Sequence, residues 1–189
     1  MKDLKSAILL FLAFTVICGG IYPAAVTGIG QALFPHQANG SLIVDGQGKV
    51  IGSTLIGQPF SDQKYLWPRP SATTDFGYNP LSSGGSNSGP TNPDFIKTVQ
   101  GRVKALHDAG LTGAVPSDLV LASASGLDPH ISPDSARVQI TRIAGSRGIS
   151  EETVRKIVAR HTEDRQVGIL GEPRVNVLAV NLELATLRP

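Results

Sequence analysis

Cysteine is all but missing from the 189 residues. Cys18 stands alone, which excludes an intramolecular disulfide and a cysteine-based zinc site. Histidine is thin too: His36, His107, His130 and His161 are scattered, and no H-E-x-x-H motif occurs. Charge of either sign is not in excess, with 17 basic against 15 acidic residues. That balance leaves no basic stripe of the kind nucleic acid requires. A phosphate-binding P-loop is lacking as well. Gly48-Lys49 is followed by Val50, and Ile43 stands where the first glycine belongs. The glycines at 46, 48 and 52 have one residue too many for a dinucleotide fingerprint. Ser61-Asp62-Gln63-Lys64 matches S-x-x-K, but S-D-N and K-T-G are absent, so the match is chance.

The most informative gap is in charge: no Asp, Glu, Lys or Arg occurs from Ser6 to Val44. Residues 7–26 read AILLFLAFTVICGGIYPAAV, and a bilayer core takes about 20 apolar residues in helical form. The apolar run continues to Phe34, long enough for a tilted helix. Pro23 is tolerated there if neighbouring groups satisfy the carbonyl it frees. A cleaved signal peptide is a weaker reading, since its best small-x-small site, Gly28-Ile29-Gly30, lies far along the chain. A lipoprotein signal ending at Cys18 meets Ile17 where a small residue is needed. Lys2 and Lys5 flank the run and no base follows until Lys49, so the N-terminus is expected in the cytoplasm and the rest outside. Gly20, Ala24 and Gly28 recur every four residues, a smooth stripe along which a partner helix can approach.

Two regions follow from this: an anchor over 1–34 and one extracytoplasmic soluble domain over 35–189, long enough for a core. Residues 41–44 and 49–57 predict two short strands around Asp45-Gly46-Gln47-Gly48. Residues 67–93 hold five prolines, four glycines and five serines, which suits neither helix nor central strand. Tyr65, Trp67, Phe76 and Tyr78 predict that this long segment is an ordered loop.

Three helix starts are legible. Asn92-Pro93-Asp94 offers a cap, a first-turn proline and an acid, followed by Phe95, Ile96, Val99, Val103 and Leu106 on one face. Ser132-Pro133-Asp134 repeats the pattern with Ala136, Ile140, Ile143 and Ala144 inward. Ser150-Glu151-Glu152 opens a third with Val154, Ile157 and Val158 inward and His161 at the rim. The C-terminal VNVLAVNLEL fits strand or helix, and a helix packed on the others is expected. The class is α+β: one N-terminal transmembrane helix, a small antiparallel sheet and about four helices.

Two stretches carry candidate chemistry. Residues 122–133 bring Ser123, Ser125, Asp128 and His130 close in sequence. A catalytic reading makes a serine the nucleophile and His130 its base. The preferred reading is a turn in which Asp128 and the serines bond to backbone and Ser132 caps the next helix. The run Ser82, Ser83, Gly84, Gly85, Ser86 offers either an anion-binding nest of N–H groups or tight backbone packing.

Three long segments carry a family resemblance: RPSATTDFGYNPLSSGGSNSGPTNP (69–93), VPSDLVLASASGLDPHISP (115–133) and GEPRVNVLAVNLEL (171–184). With the single N-terminal span, the chain resembles the C subunit of the bacterial Kdp-type potassium-transporting P-type ATPase along nearly its whole length. The resemblance implies an inner-membrane complex with a channel-like potassium-translocating subunit, a P-type ATP-hydrolysing subunit and a very small membrane peptide. Potassium is then the transported ion, and ATP belongs at the interface with the hydrolysing subunit; no covalent cofactor is implied. The chain lacks the Asp-Lys-Thr-Gly phosphorylation motif, so hydrolysis is not expected of it alone. The family role is described as a catalytic chaperone that raises the hydrolysing subunit's affinity for ATP, with the 81–89 loop similar to an ABC-transporter signature loop. An outside location of that loop favours assembly and stabilisation instead. Asp128 and His130 belong to a family motif and are expected to be structural. The rivals are a stand-alone periplasmic hydrolase built on Ser125 and His130, or a membrane-anchored binding protein.

Overall fold

The computed structural model describes residues 2–187, Lys2 by its backbone alone. It divides into two compact units, Met1–Ser53 and Thr54–Pro189.

The first unit is dominated by a continuous helix, Asp3–Leu33, long and apolar enough to cross a membrane and with no buried residue in its apolar stretch in the isolated chain. It runs as α1 (Lys2–Val16), a π-helical turn (Ile17–Ile21) and α2 (Tyr22–Leu33). Pro23 accounts for the interruption. Proline brings no N–H, and its ring presses on the carbonyl four residues back, here that of Gly19. The wider turn makes room, and Tyr22 N–H reaches back to the Ile17 carbonyl. Within α1, the Thr15 hydroxyl donates to the Phe11 carbonyl at 2.8 Å, which hides its one polar group. A short helix, α3 (Pro35–Ala38), leads into β1 (Leu42–Val44) and β2 (Val50–Ser53), which pair antiparallel with a bulge between Ile43 and Val44. The Asp45 carboxylate accepts the N–H groups of Gln47 and Lys49, closing the turn predicted there.

The second unit holds five α-helices, a 3-10 turn at Ser117–Leu119 and three short strands among the described residues. Helix α4 (Pro93–Asp108) starts where expected: the Asn92 side chain accepts from Asp94 and Phe95 N–H. Its docking is lighter than the periodicity suggests, because only Leu106 is buried and Ile96 remains exposed. Strand β3 (His130–Ile131) lies beside β5 (Arg174–Asn176), and β4 (Thr162–Glu163) on the other side, all antiparallel. Ser150 caps α7 (Glu151–Arg160) through Thr153 N–H. His161 follows α7, its Nε2 2.7 Å from the Glu183 carboxylate.

One expectation is corrected, and the expected C-terminal helix forms after a short strand. The helix opened by Ser132-Pro133 is not continuous: α5 (Pro133–Arg137) and α6 (Ile140–Arg147) are separated at Val138 and Gln139. Gln139 is fully buried, and its amide serves the backbone of Trp67 rather than solvent. The C-terminal segment is both strand and helix. Val175 lies in β5, and Asn176 then caps α8 (Val177–Thr186) by accepting from Ala179 N–H.

The main core joins α5–α8 and the sheet through Ile140, Ile143, Val154, Ile157, Val175, Val180 and Leu184. A smaller core around Leu106, Leu111, Leu119 and Val120 seats α4. Segment 63–67 has no regular structure, and although it starts exposed at Gln63 and Lys64 it dips inward at Leu66, which is fully buried, so the backbone polar groups there need side-chain partners. Asn181 accepts from Leu66 N–H at 2.7 Å and donates to the Leu66 carbonyl at 2.9 Å. Gln139 treats Trp67 likewise, at 2.8 and 3.1 Å. Arg142 donates to the Gln63 and Tyr65 carbonyls and stacks 3.9 Å from the Trp67 ring centroid. Burial pushes its guanidinium down to about 10. Arg147 donates to the carbonyls of Lys64 and Leu184.

Candidate functional site

On the membrane helix, Gly20, Ala24 and Gly28 are exposed, and a Cβ added at either glycine would meet no heavy atom within 4 Å. Four residues overshoot one α-helical turn of about 3.6. A π turn rotates less per residue, so the step from Gly20 to Ala24 returns closer to the same azimuth. Lys5 is exposed at the N-terminal end; the Lys2 side chain lies outside the described residues.

In the second unit the polar centre is Asp128. Its Oδ1 accepts the His130 backbone N–H at 3.0 Å and lies 3.5 Å from the His130 ring Nδ1. Its Oδ2 receives Arg69 Nη1 at 2.9 Å. Burial opposes the charged carboxylate, but the hydrogen bonds from His130 and the Arg69 guanidinium outweigh it and hold the pKa below the usual value. Arg69 is positioned between Pro68 and Pro70, and its Nη2 reaches the Leu121 carbonyl at 3.5 Å. The Tyr78 hydroxyl donates to the Arg69 carbonyl at 2.6 Å, and burial with the nearby Asp128 charge pushes that phenol up.

The serine-glycine loop packs directly against the turn that precedes Asp128. Gly84 N–H and the Ser83 hydroxyl both donate to the Ser125 carbonyl, at 2.9 and 3.1 Å. A Cβ on Gly85 would lie 3.1 Å from the Ala124 carbonyl oxygen. Gly126, at φ +68°, faces Gly84 so closely that a Cβ would stand 2.7 Å from its carbonyl oxygen. Ser82 accepts from the Thr74 hydroxyl, and its N–H donates to the Asn79 carbonyl. The Ser86 carbonyl accepts from the Ser88 hydroxyl at 3.3 Å. The N–H groups of Ser82 and Gly84 are thus already committed to carbonyls, whereas an anion nest needs successive N–H groups aimed at one point.

The serines of the neighbouring turn are committed as well. Ser123 Oγ accepts Gly126 N–H at 2.9 Å, and Ser125 Oγ accepts Leu127 N–H at 3.1 Å. Nucleophilic catalysis needs serine and base in hydrogen-bond reach; here the His130 ring faces Asp128 and the two hydroxyls face the turn. The arrangement is suited to fixing backbone. Beside it, Phe60, Trp67, Pro70, Tyr78, Arg102 and Leu106 line an apolar cleft of about 380 Å³.

The Asp128 centre predicts a pH dependence. A depressed carboxyl pKa contributes stability that is complete above the unfolded value, about 4, and lost as pH falls through the folded value. Asp128→Asn is therefore expected to cost about 2 kcal/mol at neutral pH, where a charged hydrogen bond is lost. The gap to the parent chain should close below about pH 4. Urea unfolding of both chains from pH 3 to 7 checks this; a gap independent of pH would refute the role assigned to the carboxylate.

The serine-glycine loop, far from Asp128 and His130 in sequence, docks on the turn that leads into them. Arg69 and Asp118 were not foreseen. Asp118 accepts Ser132 N–H at 2.7 Å and also the hydroxyls of Ser132 and Ser135. The available hint for Arg69 was a cation locked between two prolines in a segment otherwise poor in charge.

Comparison with known proteins adds the family. The model described as "KdpC: K+-transporting ATPase, c chain" matches residues 4–186. The chain is 68% identical over 189 residues, all of both chains, to the potassium-transporting ATPase KdpC subunit of Geobacter metallireducens. It is 66% identical over 189 residues, again all of both chains, to the subunit of that name from Geobacter sulfurreducens. To that of Methylococcus capsulatus it is 56% identical over the full length of each.

Proposed function

The chain belongs to the KdpC family of K+-transporting ATPase c chains, and from that premise we propose that it is the non-hydrolysing accessory subunit of an ATP-driven potassium uptake complex, acting in assembly and stabilisation. Its companions are a channel-like potassium-translocating subunit, a P-type ATP-hydrolysing subunit and a small membrane peptide. The observation that carries this reading is the Asp3–Leu33 helix, apolar, unburied and bearing a smooth small-residue stripe. The stripe packs on the potassium-translocating subunit. With Lys2 and Lys5 on the short flank, the N-terminus lies in the cytoplasm of a bacterial inner membrane and the folded unit outside. Commitment of the 82–86 loop to the Ser125 carbonyl and its own neighbours supports a structural role for it over direct contact with ATP.

Affinity purification of the C-terminally tagged chain from gently solubilised native membranes tests the assignment. Equal amounts of a P-type ATPase subunit and a potassium-translocating subunit are expected with it. Recovery of the chain alone from potassium-starved cells would overturn the reading.

A further inference from the structure

The π-helical turn passes over one carbonyl in the membrane helix. In an α-helix each carbonyl receives the N–H four residues on. For Cys18 that donor is Tyr22, whose N–H goes to the Ile17 carbonyl instead. The N–H a π step would supply belongs to the next position, and Pro23 has none. Gly19 loses its α-helical donor to the same proline, but a π step still offers it Ala24 N–H. Cys18 is served in neither register. Thr15, the hydroxyl one turn earlier, is committed to the Phe11 carbonyl. Depth makes the orphan costly. Cys18 lies twelve residues beyond Ser6, where the charge-free run begins. At about 1.5 Å per residue that is about 18 Å, close to the middle of a hydrocarbon core about 30 Å thick. Water does not reach that level, and an unmet backbone group there costs several kcal/mol.

The carbonyl is open to approach. Cys18, Gly19 and Tyr22 are exposed, and a Cβ added at Gly19 would meet no heavy atom within 4 Å. Along the helix axis a carbonyl projects close to its own Cα, and two residues turn the helix through about 200°. The Cys18 carbonyl therefore faces away from Gly20, and the small-residue stripe does not account for it. An orphan acceptor at this depth dictates its partner's chemistry. Lipid tails and aliphatic side chains leave it unmet, and a bare charge at the bilayer centre is costly. We propose that a membrane helix of another subunit of the potassium-transporting complex, on the side opposite the stripe, presents a neutral donor here, a hydroxyl or carboxamide side chain. Its hydrogen bond to the Cys18 carbonyl sets the depth and rotation of this chain in the assembly. The inference rests on the complex membership proposed above.

The sole cysteine makes the test direct. Cysteine labelled at its carbonyl with heavy carbon and oxygen isotopes marks this one group, whose infrared amide band falls in wavenumber when a donor arrives. The labelled full chain is compared in phosphatidylethanolamine–phosphatidylglycerol vesicles, by itself and assembled with unlabelled companions. The band is expected to be high in the free chain and lower in the complex. Pro23→Ala restores an N–H and lets the helix close on Cys18 and Gly19. Its band should be low in the free chain and unmoved by assembly. Recovery of that variant with companions should fall about threefold to fifteenfold, the worth of one interhelical hydrogen bond. A band already low in the free parent chain overturns the proposal, since the chain itself or water then serves the carbonyl. A parent band that assembly leaves in place, or full recovery of Pro23→Ala, overturns it too. A band that falls with chain concentration in the absence of companions overturns it in favour of a second copy. Lost recovery of Pro23→Ala with its band still high traces the loss to helix shape, and the proposal falls. Failure of the labelled parent chain to assemble at all overturns the complex membership itself.

Discussion

Asn181→Ala is expected to destabilise the folded unit by about 3–5 kcal/mol, a large share of a total that is typically about 5–15 kcal/mol. Leu66 and Asn181 are both buried, and one carboxamide satisfies both backbone groups of Leu66, as a neighbouring strand would. Removing it strands an N–H and a carbonyl together, each costing about 1–3 kcal/mol when buried without a partner. Asn181→Asp keeps the acceptor for Leu66 N–H but turns no donor to the carbonyl, and it introduces a buried carboxyl, so it offers no rescue. Trp67, the single tryptophan and the next residue along, reports the transition by fluorescence in urea. A loss below about 1 kcal/mol, the net worth of an ordinary hydrogen bond, would show that segment 63–67 is not held as described.

That segment also marks where the sequence stops being readable. Helix starts at Asn92, Ser132 and Ser150 were legible because a cap is a local device: side chain and N–H lie two or three residues apart. The β1–β2 turn was legible for the same reason. Gln139 and Asn181 were not. Their partners lie 72 and 115 residues away, and hydrophobic periodicity sorts polar residues outward by default. The break between α5 and α6 follows from that inward amide, so the missed burial and the missed helix end are one error. Pro23 announced an irregularity in the membrane helix, but the choice of a π turn depends on how the freed carbonyls are satisfied.

The candidate site divides along the same line. Asp128 accepting the His130 N–H two residues on is a local turn, and its motif was visible. The Arg69 partner and the docking of Ser83 on Ser125 are tertiary contacts across 59 and 42 residues, with nothing but glycine and proline placement to hint at them. Gly126 shows why the glycines are there: a side chain at its left-handed backbone would drive into the Gly84 carbonyl.

Replacing Gly20, Ala24 and Gly28 together with leucine is expected to strip the chain from its complex while leaving the chain itself folded. Lipid tails are as apolar as leucine, so no hydrophobic effect draws membrane helices together; close van der Waals approach along small residues does. In the isolated chain the substitution costs nothing, since both glycine positions open on empty space and leucine favours helix over glycine by roughly 0.8 kcal/mol or more. Three isobutyl groups on one azimuth hold a partner backbone several ångströms away. Recovery of the other subunits of the complex should fall at least tenfold, or about 1.4 kcal/mol. Val26→Leu, on the opposite side of the same helix, should leave recovery unchanged. Equal recovery of the triple variant and its parent would mean that the helix is only an anchor. The assembly contacts would then have to come from the folded unit.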